Sequence, residues 1–432
     1  MVSSVDTRVE QEHRPVTPSP APQASATAHR RGSVLGDPAF LRLWAGTTAS
    51  GLATWALPFI LGLALLDRSL TAVGLGIVLA ARTAGFLAAV PVGGMLADRH
   101  SRRGVVLWSG LAAAAATPVV AAGLGRSVAL MALAAAVVGV GQGACRPAFQ
   151  ALTAEVVDEP RRQSANAAVT FAVRVTTLLA PGLVALLSVA VSTPALVLAT
   201  AALWLAAAVL PARGAAALTP KGARAPFSAE FADGVREARR HPWFLAGLAA
   251  LTTVIATGYS ATGVALPLVS RETYGTEAVL AAALTAYTAG AMGGALLIAR
   301  WRPKAQGWAA LAGLACYGFA PLSLLLPVHP AAVITAYVLA GIGIELFNVP
   351  WFTATQREVE PAKLARVSSL DFLLSYGLAP VGLALIAPAI AAFGTGPVLG
   401  FCALACFAAP AAAALAPGAR GFSRPAPEVR GA

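Results

Sequence analysis

Gly94-Met95-Leu96-Ala97-Asp98-Arg99-His100-Ser101-Arg102-Arg103-Gly104 sets one acid and three arginines between an apolar run at 71–97 and another at 105–125. A membrane helix takes roughly 20 predominantly apolar residues, and each run is long enough. The stretch therefore reads as a short charged turn between two membrane helices. Asp98 closes the first of them, at a C-terminal end where the helix dipole disfavours negative charge. It needs either a cationic partner or the N-terminus of a neighbouring helix.

The same alternation continues outward in both directions. Of 432 residues 57% are hydrophobic and only 12% charged, which excludes an ordinary soluble fold. Apolar runs broken by charge, Pro or Gly give twelve spans: 41–66, 71–97, 105–125, 128–150, 164–190 and 193–211, then 243–269, 277–300, 306–327, 331–353, 368–391 and 395–416. The expected fold class is an all-α membrane protein, twelve transmembrane helices in two six-helix pseudo-repeats. Residues 1–36 are rich in Pro, Ala, Ser, Thr and Arg, read as a disordered cytoplasmic tail, and hold no apolar core of a signal peptide. The first apolar run is therefore expected to stay as a span. A six-helix bundle at 37–211, a basic middle loop at 212–242, a second bundle at 243–417 and a tail at 418–432 complete the expected organisation.

Charge tests this map. Of the 31 Lys and Arg, Arg68, Arg126 and Arg271 fall on one side, Arg82 and Arg174 fall within spans, and the rest gather in the tails and alternate loops. Positive residues collect in cytoplasmic loops, so both termini are expected inside, in a plasma-membrane protein. The net charge of +12 is spread over small clusters and forms no continuous face for nucleic acid. Positions also repeat between the halves: Gly139 and Gly141 recur as Gly341 and Gly343, Pro147 and Glu155 as Pro350 and Glu358, and Pro181 as Pro380. Two parallel six-helix repeats are a design in which one half rocks against the other around a central site.

The 94–104 stretch resembles the G-x-L-A-D-R-x-G-R-R/K loop of the major facilitator superfamily, with Ser101 where that family usually has Gly. Arg146-Pro147-Ala148-Phe149-Gln150 with Ala165-Asn166, Trp351-x4-Gln356 and Arg366-Val367-Ser368-Ser369-Leu370-Asp371 resemble the branch that holds bacterial drug and siderophore (enterobactin-type) exporters. The branch's span 4 pattern R-x-x-Q-G stands here as Gly139-Val140-Gly141-Gln142-Gly143, and its span 5 pattern G-x-x-x-G-P as Thr176-x3-Ala180-Pro181. The resemblance implies that spans 1, 4, 7 and 10 line a central cavity while spans 2, 5, 8 and 11 join the halves. It also implies a gating motif of Gly94, Asp98, Arg99, Arg102 and Arg103, in which Asp98 holds the halves together on the cytoplasmic side in the outward-open state. The plainer reading is a topology loop in which Asp98 pairs with Arg102.

A charge inside the bilayer is costly and a functional candidate by default. Glu345 lies 14 residues from the outer end of span 10, roughly 21 Å deep at about 1.5 Å per residue. A desolvated carboxylate facing the cavity could load a proton from outside and release it inside. It could equally be locked to Arg82 or Arg174, or hydrogen-bonded to Asn348. Arg82 and Arg174, near the midplane, could attract an anionic substrate or pair with backbone carbonyls. Asp371 reads as a cap in the first turn of span 11. Gln142, Asn348, Trp351 and Tyr259 are the other candidates for a cavity wall, with Trp55, Phe59, Tyr287, Phe347 and Tyr376 further aromatics on the same spans. Pro58, Pro147, Pro181, Pro350 and Pro380 could supply bends.

Together these point to secondary export of a small amphipathic organic molecule in exchange for protons, by a chain acting as a monomer. The rivals are an uncoupled or symporting carrier of an organic anion and a non-transporting sensor. No cofactor is expected, since Cys145, Cys316, Cys402 and Cys406 show no metal-ligand spacing. Nor does any polar segment offer a nucleophile and base pair or a phosphate loop, so an enzyme is not expected.

Overall fold

The computed structural model describes residues 33–212 and 226–423, Leu378 excepted. The expected tails at 1–32 and 424–432, the middle-loop residues 213–225 and the side chains of Tyr376 and Pro380 lie outside the described residues. Among the described residues there is no strand, and ten helices are long and apolar enough to cross a membrane. Two shorter apolar helices, Thr193–Val209 and Val381–Phe393, complete twelve passes.

In chain order the passes are α1 Pro38–Leu66, α2 Ala72–Arg99, α3 Arg102–Gly123, α4 Val128–Val156, α5 Arg162–Leu187 and α6 Thr193–Val209. After a linker helix, Phe227–Arg239, come α7 Pro242–Glu272, α8 Ala278–Arg300, α9 Gln306–Leu325 and α10 Pro330–Glu358. The eleventh pass, α11, has two pieces, Leu364–Gly377 and Ala379–Phe393, and α12 is Thr395–Ala414.

Starts follow local chemistry. Asp37, Thr71, Ser101 and Ser127 each accept an amide N–H of the first turn of α1 to α4, at 3.0 to 3.2 Å. Ser101 thus N-caps α3 from an extended backbone (φ −142°), a conformation that requires no glycine. α4 and α10 run past the expected ends at 150 and 353 to Val156 and Glu358. An apolar run stops where the bilayer stops, whereas backbone hydrogen bonding continues until a helix is capped. The expected loop at 212–242 contains the linker helix, whose acidic and basic residues hide it from any search for apolar runs.

Close packing shows the repeat. A Cβ added to Gly139 of α4 would run into the Arg82 carbonyl of α2, and one added to Gly341 of α10 into the Tyr287 carbonyl of α8. Gly141 faces the Ser109 carbonyl of α3 as Gly343 faces the Gly313 carbonyl of α9. Small residues allow helices that share no hydrophobic drive in lipid to approach and gain dispersion contact.

Candidate functional site

A cavity of about 380 Å³ lies between the halves, within the range of small-molecule sites. Its wall draws on α1, α4, α5 and α7 to α11, and includes Trp55, Tyr259, Tyr287, Tyr317, Phe352 and Phe372. Tyr259 ends a π-helical turn, Ile255–Tyr259, that interrupts α7 and leaves its side chain facing open space. Such single turns disturb the helical ladder and recur at functional sites.

Among the described residues four charged side chains line this cavity: Arg146, Arg174, Glu345 and Asp371. Arg174 and Glu345, at the middles of α5 and α10, meet across the halves. Arg174 Nε donates to Glu345 Oε1 at 2.6 Å, and Nη2 contacts the same oxygen. Glu345 is fully buried, Arg174 is partly exposed to the cavity, and Asn348 donates to Glu345 Oε2 at 3.4 Å. The Arg174 guanidinium also sits 5.8 Å from the centroid of the Tyr287 ring. Two of the alternatives left open for Glu345, a bond to Arg174 and one from Asn348, are thus present together.

Toward the end of the molecule that carries the basic loops, polar side chains close the cavity. Asn166 Nδ2 donates to Thr353 Oγ1 and Gln356 Oε1, both at 2.9 Å. Gln356 Nε2 donates to Gln150 Oε1 at 3.0 Å and to Asn166 Oδ1 at 3.3 Å. The Gln150, Asn166 and Gln356 segments, separate in sequence, converge here. Gln163 donates to the carbonyls of Ile298 and Trp301, and Arg162 to that of Gln356.

Below this floor lies the 94–104 turn. Asp98, fully buried, accepts the backbone N–H groups of Ala365 and Arg366 at 3.2 and 3.0 Å, with Arg366 Nε at 3.4 Å. An acid at the unfavourable end of α2 is thus placed at the favourable N-terminal end of α11, which lies in the other half. A Cβ on Gly94 would lie 2.6 Å from the Ala365 carbonyl, so glycine permits the approach. The arginines go elsewhere. Arg99 binds Glu230 of the linker helix at 2.7 Å. Arg102 reaches Glu155 at 3.4 Å and the Pro361 carbonyl, and Arg103 the carbonyls of Pro211 and Val209. The linker helix also meets the second half: Asp233 binds Arg366 at 3.3 Å and Glu237 binds Lys363 at 3.1 Å. Burial disfavours the Glu237 charge, but the hydrogen bond and charge of Lys363, with Arg240 beside it, hold its carboxyl below the ordinary value.

Three expected cavity residues lie elsewhere. Arg82 donates to Gln142 Oε1 from Nε at 3.2 Å and from Nη2 at 2.9 Å, and to the Thr54 carbonyl at 3.2 Å, inside the first half. Gln142 is correspondingly buried against it and does not line the cavity. Trp351 is fully buried, stacked on Phe244 and Phe347. A membrane helix apolar all round carries no marked face, so depth alone cannot say which way a side chain turns. Asp371 is not a cap, because α11 starts seven residues earlier, at Leu364, where Asp98 supplies the acid. Arg146 was counted with the loops although it falls inside the expected span 128–150, and the structure places it on the cavity wall.

The comparisons agree with this architecture. The chain is similar to the human organic anion transporter MFSD10 (TETRAN), at 16% identity and a TM-score of 0.72, over 87% of this chain and 99% of that one. It is similar to a variant of the Escherichia coli fucose:proton symporter, FucP, at 15% identity and a TM-score of 0.63, over 87% and 98%. At these identities the likeness is one of fold. No curated protein sequence matches. Residues 43–383 match the Major Facilitator Superfamily, and the chain belongs to that family of membrane transporters.

Proposed function

We propose that the protein is a secondary active exporter of a small amphipathic organic molecule, working in the plasma membrane as a monomer, in exchange for protons. The observation that carries this reading is the Arg174–Glu345 pair, set at mid-helix across the two halves and facing an aromatic cavity. The basic end is taken as cytoplasmic by the positive-inside rule, with both termini there. The interhalf bonds named above run from this pair to the basic end, which supports reading the arrangement as outward-facing.

In the cycle, cargo enters from the cytoplasm, and the Asp98 contact and the polar floor then close behind it. Cargo leaves outward. A proton from outside neutralises Glu345, which weakens its hold on Arg174 and loosens the mid-depth tie between the halves. The basic end opens, the proton leaves to the cytoplasm, and the pair forms again. An organic-anion carrier is the second reading, supported by Arg146 on the cavity wall.

Everted membrane vesicles energised inside-acid, with a pH-quenched dye, separate the two. Export by antiport predicts dye recovery on adding cargo, and Glu345→Gln removes that recovery while the purified variant still folds. Undiminished pH-driven transport by Glu345→Gln would sink the assignment of Glu345. Cargo movement indifferent to a protonophore would favour the uncoupled anion carrier.

A further inference from the structure

Asp371 shares the cavity wall with Glu345 but is held differently. It is 5% exposed. Trp351 Nε1 donates to its Oδ2 at 3.3 Å, and Ser375 Oγ donates to its Oδ1 at 3.1 Å. Both donors are neutral. Among the described residues no Arg, Lys or His lies within ion-pair distance of it.

Among the described residues, none of the charged and titratable groups around α11 bonds to Asp371. On α10, Glu345 is bound by Arg174 of α5 and by Asn348. On α4, Arg146 lines the same cavity without reaching ion-pair distance of Asp371. Tyr259 of α7, Tyr287 of α8 and Tyr317 of α9 bring phenols to the wall. Arg82 of α2 is taken by Gln142, and α2 otherwise packs Phe86 and Val90 against Phe372. At the start of α11, Asp98, Arg366, Lys363 and the acids of the linker helix bind one another.

A carboxylate in this position keeps its charge only at a cost, and a cation brought to it from the cavity removes that cost. Its two neutral donors fix its direction and leave acceptor capacity on both oxygens. Phe352 and Phe372 lie on the same wall, and aromatic rings attract a positive centre and cover apolar surface. Arg174 and Glu345 cancel each other and leave little field of their own.

We infer that Asp371 recognises the cargo's charge, and that the cargo is a lipophilic organic cation whose positive centre becomes the counter-ion of Asp371 while its apolar groups lie on the aromatic wall. The inference rests on the transporter reading and names its substrate class. It assigns Glu345 to the proton and Asp371 to the cargo.

The test is equilibrium binding to the purified full-length protein of two ions of one shape and opposite charge, tetraphenylphosphonium and tetraphenylborate. The wild type is expected to bind the phosphonium at least tenfold more tightly than the borate. Asp371→Asn is expected to lose that preference, chiefly by weaker phosphonium binding, and Asp371→Glu to keep it. A purely structural role would lower both affinities together. Phosphonium binding to Asp371→Asn at wild-type strength, or a wild type that takes the borate as well as the phosphonium, overturns the inference. Should Asp371→Asn fail to elute as a folded species, the charge preference of the wild type and of Asp371→Glu decides alone. Binding needs no gradient, so Asp371-dependent binding without proton-driven transport would overturn the export reading and leave this one standing. Proton-driven export of another cargo with no preference for the phosphonium would do the reverse.

Discussion

Asp98 shows how one side chain serves two helices at once. At the C-terminus of α2 its charge is unfavourable, and its two bonds to the Ala365 and Arg366 amides turn that into attraction for the opposite half. Asn in its place can accept at one oxygen only and carries no charge. Asp98→Asn is therefore expected to weaken closure of the basic end by about 1–3 kcal/mol, a population shift of roughly 5- to 150-fold. Pulsed electron paramagnetic resonance between spin labels at Asp158 and Lys304, on basic-end loops of opposite halves, would show a longer-distance population growing in the variant. An unchanged distribution would reduce Asp98 to a fold-stabilising contact. The need of Asp98 for a cation or a helix N-terminus was legible in the sequence, and the structure supplies both. The difference between Arg82 and Arg174 was not. Both stand near the middle of apolar helices, and only packing decides that one is spent on Gln142 and the other on Glu345.

The linker helix matters most among the elements, and the sequence hid it best. Its acids recur at Glu230, Asp233 and Glu237, a helical spacing, and bind Arg99 from the first half and Arg366 and Lys363 from the second. It acts as a clasp across the closed end. Lys363→Met removes a charged hydrogen bond to the nearly buried Glu237, and is expected to cost roughly 1–3 kcal/mol in the closed form, read as a lower melting temperature in detergent.

The pH dependence follows from two shifts of opposite sign. Glu237 is held below its ordinary 4.5, so its contribution is present above that pH and lost as acidification passes through the lowered value. The Lys363 ammonium, disfavoured by burial but bonded to Glu237 and Glu360, is raised above 10.5, and its contribution is lost only as pH rises through that higher value. The melting difference between wild type and Lys363→Met should thus stay level between about 4.5 and 10.5 and shrink on the acid side. A difference that already changes near pH 7 would mean that another group carries the clasp. The long passes themselves were easy to read, since a bilayer demands runs of a length no other structure needs. Their rotation, which turns Arg146 to the cavity, and the π turn of α7 depend on neighbours, and leave no period in the sequence.

At the scale of the whole molecule, the halves share one packing plan and meet through bonds of graded depth: the ion pair at mid-height, the polar floor below it, then the Asp98 contact and the clasp. Small rearrangements at the ion pair can be amplified because the contacts beneath it are discrete and either made or broken. Proton coupling through that pair is the central claim. Purified protein in proteoliposomes, with no other transporter present, tests it most directly by measuring how far cargo accumulates against an imposed pH difference. One-for-one exchange of a proton for a monovalent organic cation predicts about a tenfold cargo gradient per pH unit, toward the acid compartment, and none with Glu345→Gln. Equal cargo concentrations on both sides, whatever the pH difference, would contradict the account.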